Sequence, residues 1–140
     1  MDNKYINFYN NLVQLTRNKI LYKDFISQDT FSDRLVIFLF HFAFFLNVFK
    51  QLETSIREIG YGDVSINKKM KNYVNTFYSI LNEIERWEDL DIDSQNLIFE
   101  DYLNIKKESL ILAQYFENYR NYLKKNTLNS LLKGVIKPSF

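Results

Sequence analysis

LVIFLFHFAFFLNVF, residues 35–49, is the stretch on which the fold turns, because a run this apolar is either the centre of a protein core or part of a membrane span. It falls short of the ~20 apolar residues that a span requires. Arg34 and Lys50 bound it, and His41 and Asn47 interrupt it. The expectation is therefore a central helix, hydrophobic on all sides and buried by its neighbours, with a membrane-touching segment as the alternative and a true span last. Thr30 and Asp33, three residues apart, resemble a capping box that opens this helix.

Composition agrees with a helical core around that run. The chain has 140 residues, enough for one domain over residues 1–140, and is 17% aromatic with only 3 glycines and 1 proline. Scarce turn formers and abundant rings favour packed helices over strands joined by turns. The absence of cysteine excludes disulfides, thiol nucleophiles and cysteine metal sites. With a net charge of +1, global charge implies neither nucleic acid nor anionic membrane as a partner, so electrostatic recognition must rest on local patches. The first residues, MDNKYINFYNNLVQL, read neither as a secretory signal nor as a transit peptide, so the protein is expected inside the cell, in the cytoplasm.

Outward from the apolar run, the pattern is a succession of helices. Residues 4–19 place Tyr5, Phe8, Leu12 and Leu15 on one face at spacings of three and four. Leu52, Ile56 and Ile59 form a one-sided stripe that ends at Gly60. Ile66, Met70, Tyr73, Phe77, Ile80, Ile84 and Trp87 mark the clearest helix, leaving Asn67, Lys68, Lys71, Asn75 and Asn82 on the opposite side. The acidic segment EDLDID, residues 88–93, precedes a helix starting near Ser94, where acid suits the helix dipole. Leu97, Phe99, Tyr102, Leu103 and Ile105 form its apolar group. Leu110, Leu112, Tyr115, Phe116, Tyr119 and Leu123 mark the last long helix, and Asn126 or Thr127 caps a short one over residues 128–133. Val135, Ile136 and Phe140 are expected to dock the tail that follows. The sum is an all-α domain of about five to seven helices, with no strand expected.

The segment SIREIGYGDVSINKKMK, residues 55–71, departs from local electrostatics. Gly60 supplies the positive φ that stops one helix, and Gly62 with Asp63 completes a tight turn. The next helix then opens on Lys68, Lys69 and Lys71, at the end where the dipole disfavours cations by up to ~1 kcal/mol each. Tyr61, Asp63, Lys68, Lys69 and Lys71 are expected on one accessible face, where they either keep a helix soluble or contact something outside it.

No catalytic constellation emerges. Gly60 and Gly62 lie between helices and make no phosphate loop. His41 has no nearby acid in sequence and reads as a hydrogen-bonded core histidine before a general base or ligand. One histidine and scattered acids select no metal, and no cofactor is expected.

SIREIGYGDVSINKKMK resembles the signature of the ubiquinol-cytochrome c chaperone family, in which an arginine-glutamate pair and a glycine-x-glycine-aspartate turn precede a lysine-rich helix. TFSDRLVIFLFHFAFFL (residues 30–46), VNTFYSI (74–80) and LNSLLKGVIKP (128–138) resemble further blocks of that family in the same order. The resemblance implies a compact bacterial-type assembly factor for respiratory complex III. Its implied partner is newly made cytochrome b, with a small partner protein, the ribosome and the periphery of the inner membrane as further contacts. It implies no enzymatic activity. The residues it nominates for partner binding are Arg57, Glu58, Tyr61, Asp63, Lys68, Lys69 and Lys71, with Gly60 and Gly62 shaping the turn.

A small helical RNA-binding or ribosome-docking module is the competing reading, with the lysines on phosphates and Tyr61 stacked on a base. An enzyme ranks last, since it would need His41 beside a carboxylate in a polar pocket.

Overall fold

A computed structural model describes residues 3–18, 21–22, 30–50, 68–103 and 110–132, with backbone only at residues 3–5, 68–70, 110–111, 129 and 132. Its helices are α1 (Asn3–Thr16), α2 (Phe31–Val48), α3 (Lys68–Ile84), α4 (Ile92–Glu100), α5 (Leu110–Lys124) and α6 (Leu128–Leu132), with a 3-10 turn at Trp87–Asp89. The fold is all-α, and the described residues contain no strand.

Helix α2 begins where its cap predicts. Thr30 is extended, its hydroxyl accepts the backbone N–H of Asp33 at 3.1 Å, and the same hydroxyl donates to the Asp33 carboxylate at 2.9 Å. This holds a carboxylate at the positive end of the helix, where the dipole favours it. The helix outruns the apolar stretch by one turn at its N-terminus. At 18 residues with a mean hydropathy of 1.5, it is long and apolar enough by composition alone to cross a membrane. Its place in the fold is the core: α1, α3 and α5 all pack against it. Ile37, Phe40, His41, Ala43, Phe44, Phe45 and Leu46 are buried.

Rings fill the space between these helices. Phe44 stacks on Phe116 of α5 at 5.0 Å, and Phe116 stacks on Phe99 of α4 at 5.1 Å. Trp87 meets Phe44 edge-on at 4.9 Å, Phe42 meets Phe77 of α3 at 5.2 Å, and Phe8 of α1 lies 4.3 Å from Phe45. Offset and edge-on pairs of this kind add about 0.5–1.5 kcal/mol each beyond the area they bury.

Two boundaries differ from the periodic reading. The stripe of α3 continues in sequence to Trp87, yet the helix stops at Ile84 and the chain re-enters the core through the 3-10 turn. Tertiary bonds take over there: the Trp87 indole N–H donates to Glu117, and its carbonyl accepts from Gln95 at 2.9 Å. Helix α4 starts at Ile92 with Asp91 as its cap, accepting from the Ser94 N–H at 2.8 Å. Its inward face carries Asn96, Ile98 and Phe99, whereas Leu97, expected in the core, is 57% exposed. The expected stripe at Leu52, Ile56 and Ile59, Ile105, and the docked tail lie outside the described residues.

Candidate functional site

The lysine-rich segment is only partly described. Arg57, Glu58, Gly60, Tyr61, Gly62 and Asp63 lie outside the described residues. Lys68 and Lys69 occupy the first turn of α3, which carries no acid, and the Lys71 side chain is exposed. The shared face expected for Tyr61, Asp63 and the lysines thus falls largely outside the described residues.

His41 is fully buried. Its Nδ1 lies 2.8 Å from the carbonyl of Ile37, which can only accept, so Nδ1 carries the proton. Nε2 then accepts from the Tyr115 hydroxyl at 2.7 Å. Phe116 and Tyr119 pack against the ring at 5.0 and 5.1 Å, and the Tyr119 hydroxyl donates to the His41 carbonyl at 3.3 Å. Burial lowers the imidazole pKa from 6.5 to about 4, outweighing the opposing bond to Ile37. Burial likewise raises the phenols of Tyr115 and Tyr119, which stay protonated donors. This is the hydrogen-bonded core histidine of the sequence reading. Its hydrogen-bond partners are a carbonyl and a phenol.

A half-open cleft of about 100 Å³ lies beside this core, between α1, α2, α5 and α6. Its floor is Leu12, Phe45, Tyr119, Leu123 and Leu131, all buried, while Phe8, Leu15 and Tyr122 form half-buried walls. Asn11 and Gln14 supply amides at the lip. Local structure explains the shape. Phe8, Leu12 and Leu15 are the inward stripe of α1, and Tyr119 and Leu123 sit one turn apart on α5. Asn126 donates to the Tyr122 carbonyl at 2.7 Å as α5 ends, and Thr127 accepts the Ser130 N–H at 3.1 Å to start α6. That tight corner brings Leu131 against α1 and closes one side of the cleft.

Sequence reading placed Phe8, Leu12, Leu15, Tyr119 and Leu123 on apolar faces but did not identify a cleft. What it missed is Leu131, whose approach to α1 depends on a corner formed more than a hundred residues later in the chain. Asn11 and Gln14 offered one signal: neutral amides at the border of an apolar stripe.

A second polar feature ties the 3-10 turn to α5. Arg120, 8% exposed, pairs with Glu88 and donates to Asn47 of α2 at 3.3 Å; Lys124 reaches the same Glu88 oxygen at 3.0 Å. Hydrogen bonds from Arg120 and Lys124 hold the Glu88 carboxyl down at about 2. Among the described residues, no cluster of three or more histidines and acids could hold a metal ion.

Compared with known proteins, the chain matches no family model, and neither the curated proteins nor the solved structures contain a significant match.

Proposed function

We propose that the chain is a non-enzymatic assembly chaperone that covers an apolar helical segment of its client, the client being cytochrome b during assembly of respiratory complex III. The observation that carries the first half of this reading is the cleft between α1, α2, α5 and α6, whose described lining is apolar and aromatic apart from the amides of Asn11 and Gln14. A membrane helix awaiting its partners exposes apolar surface, and temporary cover requires matching apolar area and no bond-making groups. The identity of the client rests on the resemblance of residues 30–46, 55–71, 74–80 and 128–138 to ubiquinol-cytochrome c chaperones. Arg57, Lys68, Lys69 and Lys71 supply the polar contacts that position the client or its ribosome, at the periphery of the inner membrane.

Photocrosslinking in cells from Leu15 in the cleft wall and from position 68 tests the proposal. Cytochrome b is the expected product from Leu15. Replacing Lys68, Lys69 and Lys71 together by Glu should leave far-UV helicity intact and lower the level of complex III. A ribosomal RNA product from position 68, lost steeply as salt rises, would favour the RNA-docking reading instead. Absence of cytochrome b from the Leu15 product, together with unchanged complex III in the lysine variant, would remove the proposal.

A further inference from the structure

We draw no further inference here: the strongest candidate, the surface band of rings in which the exposed Tyr9 of α1 meets the half-buried Phe38 of α2 at 5.9 Å and Phe38 stacks on Phe42, is an apolar face, and nothing in the structure shows what covers it.

Discussion

The imidazole of His41 is neutral because its burial outweighs the bond to Ile37, which favours the protonated form. Ile37 accepts from Nδ1, Tyr115 donates to Nε2, and the remaining neighbours are rings. The folded pKa of about 4 lies below the ordinary 6.5, so the unfolded chain binds a proton over a range in which the folded chain does not. Stability from this group is therefore fully present above pH 6.5 and is lost as pH falls toward 4. Between pH 7 and pH 5 the loss should be about 2 kcal/mol. His41 is the only histidine, so no other imidazole contributes to that window. Urea unfolding at the two pH values measures it. His41→Phe should cost about 1–3 kcal/mol at pH 7 by removing the buried bonds that His41 makes with the Ile37 carbonyl and the Tyr115 hydroxyl, and should lose the slope between pH 7 and 5. A variant that keeps the slope would place the titrating group elsewhere.

At the scale of elements, helix starts are set by local chemistry and helix stops by distant contacts. The Thr30–Asp33 cap is readable because donor and acceptor sit three residues apart, and Thr30→Ala should cost about 1 kcal/mol in thermal or urea unfolding. The stop of α3 at Ile84 is not readable, since Trp87 continues the same spacing and nothing in ERWED breaks a helix. What stops it is a set of partners on other elements: Glu117 on the indole, Gln95 on the carbonyl, and Arg120 with Lys124 on Glu88. The segment 88–93 accordingly does more than suit a dipole, although its partners lie about thirty residues away along the chain. Likewise the stripe of α4 includes Asn96 and omits Leu97, a rotation that only its neighbours decide. Hydrogen bonds from Arg120 and Lys124 depress the Glu88 carboxyl, so its contribution is present above pH 4.5 and lost as pH falls toward 2. Glu88→Gln should therefore lower Tm at pH 7 and make little difference at pH 2. A Tm gap of equal size at both pH values would mean that the charge pair is not what ties the turn to α5.

For the whole molecule, the decisive question is the one posed by residues 35–49, whether α2 belongs to a core or to a bilayer. Hydropathy cannot answer it, because a core helix and a spanning helix share the same composition. Packing gives the answer for this fold: among the described residues α2 is flanked by α1, α3 and α5, and its Phe40 and Phe44 join the rings of Phe99, Phe116 and Trp87. The all-α architecture and the central place of α2 are legible in sequence, since periodicity and ring content suffice for both. The cleft is not, because it exists only where α1, α5 and α6 converge. If α2 is the keystone, its amides cannot open without dissolving the ring stack, so they exchange only through global unfolding. Native-state hydrogen exchange should then give residues 37–46 the highest opening free energies in the chain, equal to the value from urea unfolding. Phe116→Ala should lower that shared value by about 3–5 kcal/mol, because the ring bridges α2 and α4 and leaves a void at the centre. In lipid vesicles the protection of residues 37–46 should be unchanged. Loss of protection there, with α4 and α5 still protected, would show that α2 can leave the core for the bilayer while the rest of the fold stands.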